Sequence, residues 1–340
     1  MKCSAIGAKI GIAVLLAGGA TGQGDDTVAR EDQVTIEKLD DRCRVLIGGE
    51  LFTEYIFRGY EKPILYPVIG PHGIGMTRNY PMRRNVAGEA SDHPHHKSLW
   101  FSHQPINGVN FWTTHGKYGR CNHDELLRVD NGGNRGSICA KNRWVTHDDN
   151  VVFTDTRTMA FQSLGTSRVI DFEITIEASH GPVTFGDCKE GTMAIRTHPN
   201  LRLENDSRHG VTTANGQSLN SEGVRGKDVW GKRADWIDYW GKINNKVVGI
   251  AIFDHPANPR HPTHWMARHY GYIGANPFGL SAFEGKPRGT GDMTIPAGQQ
   301  MTFQYRFLFH EGDPQTANIS QHYHEYAKAD EGDEDCQDAK

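Results

Sequence analysis

Residues 167–179 read SRVIDFEITIEAS, and in this stretch Val169, Asp171, Glu173, Thr175 and Glu177 alternate with Ile170, Phe172, Ile174 and Ile176. A period of two places successive side chains on opposite faces of an extended chain, which predicts a strand with one wet and one buried face. The same alternation recurs in RVLIGGELFTEYIF (44–57), NVVFTDTRTMAF (150–161) and QQMTFQYRFLFHEG (299–312). KVVGIAIFDHP (246–256) is apolar throughout its first half, as a central strand covered on both faces requires. Helical periodicity is almost absent, and only ISQHYHEYAKA (319–329) predicts a short closing helix. The 39 glycines among 340 residues suit the many tight turns such a chain needs. No internal repeat or composition break divides it. The expectation is an all-β fold, one large two-sheet antiparallel β-sandwich over 30–328 with few short helices.

The ends carry other signals. Lys2 and Lys9 precede an apolar run at 10–17, followed by the small residues of AGGATGQG. A positive start, a short apolar stretch and a small-residue zone describe a secretory signal peptide, assigned to 1–23. The run is shorter than the roughly 20 residues that cross a bilayer, so the mature protein is expected to be secreted or periplasmic, with no membrane span. Residues 329–340 form an acidic tail expected to be disordered. The formal charge of -4 owes much to that tail, and no basic stripe suggests a nucleic-acid partner. Five cysteines follow the signal segment at wide spacings. Cys121 with Cys139 is the pair to test for a disulfide, and five free thiols is the alternative.

Chemistry concentrates in DHPHHKSLWFSHQPINGVNFW (92–112), which holds His93, His95, His96 and His103 with Asp92, Trp100 and Trp112. Imidazole is both the commonest metal ligand and the side chain that titrates near neutrality. Pro94 restricts His93 to extended geometry. Extended, the segment would place His93 and His95 on one side and His96 on the other, so two or three of the four histidines could converge. Two readings stay open. One is a metal site of copper, zinc or iron drawn from His93, His95, His96, His103 and His264. The other is a metal-free polar pocket.

Further segments would complete such a site. In FGDCKEGTMAIRTH (185–198), Gly186 and Gly191 flank Asp187, Lys189 and Glu190, and alternation puts Arg196 and His198 on one face. A carboxylate held beside a cation stays ionised and can serve as a general base, although a charged β-turn reads the same way. The proline-broken FDHPANPRHPTHWMARHYGYIGANPFG (253–279) offers His264, Trp265, Arg268, Tyr270 and Asn276. Aromatic groups beside charged donors can hold a sugar ring, stacking on its apolar face while the donors meet its hydroxyls. DWIDYWG (235–241) would supply either core or another aromatic wall. The expected site therefore takes His95, His96, Glu190, His198 and His264 as catalytic groups. His103, Trp112, Arg196, Trp265, Arg268, Tyr270 and Asn276 would contact the ligand.

Four segments together resemble the family of exported bacterial proteins labelled "methane oxygenase PmoA". They are DHPHHKSLWFSH with NGVNFW, FGDCKEG, FDHPANPRHPTHW with RHYG and ANPFG, and IPAGQQMTFQYRFLFHEGD, spanning about 46–313; Cys188 stands where that pattern has Thr. The label implies a His-ligated, oxygenase-type metal enzyme. The closing segment also resembles the end of galactose-mutarotase-like supersandwich domains, which bind carbohydrate on a concave sheet. That resemblance implies a carbohydrate-active enzyme of hydrolase, lyase or epimerase type, using histidine and carboxylate acid–base chemistry. A non-catalytic sugar-binding module remains the third alternative. The expected ligand is a carbohydrate or another small hydroxylated molecule, with a divalent metal as the conceivable cofactor.

Overall fold

Apart from Met1, the computed structural model describes residues 32–328; the expected signal peptide and acidic tail lie outside the described residues. In chain order the strands are β1 (Val34–Lys38), β2 (Arg42–Ile47), β3 (Glu50–Ile56), β4 (Ile64–Val68), β5 (Leu99–His103), β6 (Arg120–Asp130), β7 (Arg135–Val145), β8 (Val151–Leu164) and β9 (Ser167–Glu177). They continue as β10 (Val183–Phe185), β11 (Gly191–Arg196), β12 (Gln217–Asn220), β13 (Trp236–Ile243), β14 (Lys246–Asp254), β15 (His264–Arg268), β16 (Tyr272–Asn276), β17 (Met293–Ile295) and β18 (Gln300–Glu311). Two short helices follow the same numbering, α1 (Leu280–Phe283) and α2 (Ile319–Tyr326).

Sixteen of these strands form two antiparallel sheets of eight, the two-sheet arrangement the alternation predicted, and β10 pairs with β17 in a small sheet of its own. Sheet one runs β1-β2-β3-β4-β5-β11-β16-β15 and sheet two β12-β13-β14-β18-β9-β8-β7-β6. Strict alternation builds the layer between them. Leu99, Phe101, Met193, Ile195, Trp265 and Ile273 point inward from sheet one, toward Ile170, Ile174, Ile250, Phe303 and Phe307 of sheet two. Each such side chain contributes about 1.5–3 kcal/mol by leaving water. Edge-to-face ring pairs lock the layer, as between Phe101 and Trp144, whose centroids are 6.3 Å apart. Strand β14 is covered on both faces as expected: Val248, Ile250 and Ile252 face this layer, while Ala251 and Phe253 meet Ile319 and Tyr323 of α2.

One buried polar cluster interrupts the core. Asp155 accepts from Asn142 Nδ2 at 2.8 Å, Arg157 Nε at 2.9 Å and the Trp144 indole, so its charge is fully partnered. The Cys121 thiol joins this group, its Sγ 3.4 Å from Arg157 Nη2, and burial pushes its pKa well up. Cys121 is therefore a free thiol, and the expected Cys121–Cys139 bridge is not formed. Cys139 is nevertheless disulfide-bonded, to a cysteine other than Cys121, so five free thiols is not the outcome either. Among the described residues no helix is long and apolar enough to cross a membrane.

Candidate functional site

Alternation that sends one set of side chains into the core sends the other set outward from sheet one. Trp100 pairs with Ala194, Ala194 with Gly274, and Gly274 with Met266; the next row joins Arg196, Tyr272 and Arg268. Trp100, Ala194, Met266 and Tyr272 form an apolar cluster with Trp112, separate from the core, and partly buried Tyr60, Trp230 and Tyr270 surround it. Gly274 is required at the centre. A Cβ there would collide with Tyr272 Oη. Its absence lets the phenol lie across the strand and donate to Gly191 O at 3.1 Å. Burial and the neighbouring Glu190 carboxylate push the Tyr272 hydroxyl well above its ordinary pKa.

Above this floor, His93 to His96 form a turn closed by His96 N–H donating to His93 O at 3.0 Å. His93 takes a φ of 43°, so the extended geometry expected from Pro94 is not adopted. Pro94 instead occupies the second position of the turn, which its fixed φ favours. The turn brings three imidazoles together where an extended segment would have separated His96. His93 and His96 stack at 4.7 Å with planes 8° apart, and His95 meets His96 edge-on at 4.4 Å. His96 also stacks on Trp100 at 5.4 Å and Tyr272 at 4.8 Å.

Two carboxylates flank these rings, each shared by two cations. Asp92 accepts from Arg196 Nη2 at 2.9 Å and from Arg78, and His93 Nδ1 lies 3.1 Å from it. Burial would raise its pKa, but His93 and the two guanidiniums together hold it well below the carboxylate range. Glu61 accepts from Lys97 at 2.6 Å and Lys62 at 3.1 Å, and against the cost of burial those two ammonium groups hold it down to about 2. Burial, followed by the repulsion of Arg78, lowers Arg196 to about 9, still cationic at neutral pH. The histidines go the other way: burial and the nearby Lys62 charge bring His95 down to about 3, and burial with Arg196 lowers His96 well below its ordinary value. Near neutrality Asp92 and Glu61 are thus ionised while the His95 and His96 imidazoles are neutral. Three of its buried polar atoms, His95 Nδ1, Trp100 Nε1 and Trp112 Nε1, have no hydrogen-bond partner among the described residues.

A family model matches residues 42–324. The chain belongs to the family of unknown function DUF6807. The resemblance to the PmoA-labelled family is carried by the four motifs alone. A comparison with curated proteins found no match. Among solved structures, a galactose mutarotase-like protein from Lactobacillus casei is 6% identical, with 82% of this chain and 100% of the other covered and a TM-score of 0.35. A galactose mutarotase related enzyme from Lactobacillus acidophilus is 9% identical, with 82% and 97% covered and a TM-score of 0.30. The two-sheet architecture of this DUF6807 chain rests on its own strand pairing.

The expected site residues divide. His93, His95, His96, Trp112, Arg196 and Tyr270 meet in one network, Tyr270 stacking on His93 at 5.3 Å under the Arg196 guanidinium at 4.5 Å. Arg268 and Glu190 stand beside it, both acting electrostatically on Tyr270 and Tyr272. His103 and Trp265 leave the set, because alternation sends them to the core face. His103 is fully buried with Nε2 2.7 Å from Gly186 O, and the Trp265 indole donates to Ala234 O at 2.9 Å. Arg196 and His198 serve different places. Strand β11 ends at Arg196, and His198 caps a short 3-10 turn by accepting from Asn200 N–H at 3.1 Å. It lines a different cavity of about 520 Å³ with Glu89, Ile74 and Ile243. Asn276 is occupied structurally, tying Cys188 O to the Phe278 and Gly279 amides. His264 sits further along the outer face, paired with Glu284 Oε1 at 3.0 Å and stacked on Phe283.

The metal alternative does not fit this donor set. Among the described residues no three of His, Cys, Asp and Glu form a metal-ligand group. The physical reason is visible in the turn. Stacked rings present faces to one another rather than converging lone pairs, and His96 Nδ1 is already engaged by Arg196 Nη1 at 3.2 Å.

Sequence reasoning missed Glu61, Lys62, Arg78, Trp100 and Tyr272 as site residues. Alternation along LWFSH and RHYGYIGAN carried the signal for Trp100 and Tyr272. The Arg- and Gly-rich segment 70–96 hinted at Arg78, but nothing near Glu61 or Lys62 marked them.

Proposed function

We propose that this DUF6807 chain is an exported carbohydrate-active protein whose ligand lies over the outer face of sheet one, against Trp100, Trp112, Tyr272 and the His93–His96 turn. The observation that carries this reading is the set of unpartnered buried groups at His95, Trp100 and Trp112, embedded in an aromatic floor. Buried donors without partners are costly, and a hydroxyl-rich ligand would supply the missing acceptors while its ring stacks on the aromatic faces.

The electrostatics support division of labour among these residues. Arginine has only donors, so His96 Nδ1 accepts from Arg196 and the ring keeps its proton on Nε2, suited to donating to a ligand oxygen. Asp92 and Glu61 are held too acidic to accept a proton readily near neutrality, and they fix cations in place. Glu190, a quarter exposed and paired with Lys189, is the carboxylate left to act as general base. The enzyme reading takes hydrolase, lyase or epimerase chemistry at Glu190; a binding module would need only the floor and its donors. Calorimetric titration with a glycan panel, followed by product analysis, tests the reading. Binding to the wild-type protein but not to Trp112→Ala would support it. Absence of binding across the panel would remove the sugar ligand.

A further inference from the structure

Around the aromatic floor, buried cations outnumber the carboxylates that hold them. Arg78 and Arg196 share Asp92, Lys62 and Lys97 share Glu61, and all four cations are buried. Lys189 is matched singly by Glu190. Arg268 is the exception to every pairing. Among the described residues it makes no ion pair, its guanidinium lies over the Trp230 ring at 5.4 Å, and its Nε is buried without a hydrogen-bond partner.

Burying a charge is costly unless a counter-charge and hydrogen bonds accompany it, and apolar residues of similar size often serve stability as well or better. A surplus of buried cations is therefore a poor device for holding a sheet together. It is a good device for drawing in an anion, because a cleft with low-dielectric walls focuses the field. Arg78 has its donors engaged by Tyr80 O, Ala90 O, Asp92 and His93 O, so it serves as scaffold. Among the described residues the Arg268 guanidinium donates no hydrogen bond, and its planar fork matches an acidic group through two parallel hydrogen bonds. It stands in register with Tyr272 and Arg196 on the same outer row.

We infer that the ligand of this face is an anionic sugar whose acidic group is seated by Arg268, with the Lys62 and Lys97 surplus supplying the attracting field. This rests on the reading of the outer face as a sugar cleft. The acidic group is either a uronate carboxylate or a sugar phosphate, since both suit the fork.

Calorimetric titration of the full protein separates these cases, using galacturonate and glucuronate oligosaccharides, their neutral hexose counterparts, and a hexose phosphate. The expected result is an affinity for one acidic class at least ten-fold above that for the neutral sugars, falling as salt is raised. Whichever class binds identifies the acidic group. Arg268→Gln should bring that affinity down to the neutral level, a loss at least ten-fold larger than any it causes for the neutral sugars. Neutral sugars binding as tightly as both acidic classes in the wild-type protein would overturn the inference and leave the sugar cleft standing; that comparison needs no variant to fold. Arg268→Gln weakening acidic and neutral sugars equally would overturn the seat. Failure of every sugar to bind the folded wild-type protein would overturn both.

Discussion

Arg196 Nη1 lies 3.2 Å from His96 Nδ1, while Nη2 of the same guanidinium grips Asp92 Oδ1 at 2.9 Å. One side chain thus sets the tautomer of the central imidazole and anchors the loop that carries it. The loop–sheet join depends on this bidentate use of a buried cation, with Arg78 as the second clamp.

Removing Arg196 should therefore cost more than a surface charge would. Arg196→Met leaves Asp92 half-partnered and frees His96 Nδ1. Breaking a buried pair by deleting one partner typically costs about 3–5 kcal/mol, and Arg78 places this case toward the lower end. Urea unfolding measures it. A loss below about 1 kcal/mol would mean that the guanidinium does not hold the loop.

Acid should weaken the fold well above the carboxylate range. His95 and His103 are held by burial at about 3 and about 4, below the ordinary 6.5. As pH falls from 6.5 toward those values, the unfolded chain binds protons that the folded chain refuses, so stability drops, on the order of 1 kcal/mol per pH unit for each such histidine. Glu61, held down to about 2, adds a loss of the same sign between its ordinary 4.5 and 2. The melting temperature should fall steadily from pH 6.5 downward; a flat profile to pH 4.5 would contradict it.

Glu190→Gln should separate binding from turnover. The carboxylate is partly exposed and its ion-pair partner is the adjacent Lys189, so the neutral isostere should fold with a melting temperature within a few degrees of wild type. Ligand affinity should change less than ten-fold, while product formation falls by at least 100-fold, the scale of a lost general base. Undiminished turnover would remove Glu190 from the chemistry.

His103→Leu should affect stability alone. The imidazole partners Gly186 O in the core and touches Phe278 at a centroid distance of 4.9 Å, away from the outer face. Leaving that buried carbonyl unpartnered costs about 1–3 kcal/mol, read by denaturant unfolding. Ligand affinity should match wild type, and a ten-fold loss would return His103 to the site.

The architecture was legible because alternation is a local property. Ile170 and Phe172 face the core as their spacing required, and the same rule applied to LWFSH places Trp100 opposite His103. The site was legible only where its residues cluster in sequence, as at 92–112. Pro94 misled about His93, because the prohibition it imposes on its neighbour leaves the left-handed turn available. His198 lies beyond the end of β11, where its imidazole caps the turn at Pro199–Leu201 and lines another cavity, and alternation along the strand does not record that. Glu61 and Lys62 lie far from the histidines in sequence, and only the sheet brings them beside Lys97 and Trp112. No local pattern records such a meeting.

The most direct test of a ligand over the outer face follows the tryptophan indole N–H signals by NMR during titration with the sugar that binds. Trp144 and Trp265 donate to Asp155 and Ala234 O in the core, whereas Trp100 and Trp112 have no partner among the described residues. The account predicts that the Trp100 and Trp112 signals shift in proportion to occupancy while those of Trp144 and Trp265 stay fixed. Saturable binding that leaves Trp100 and Trp112 unmoved would contradict it.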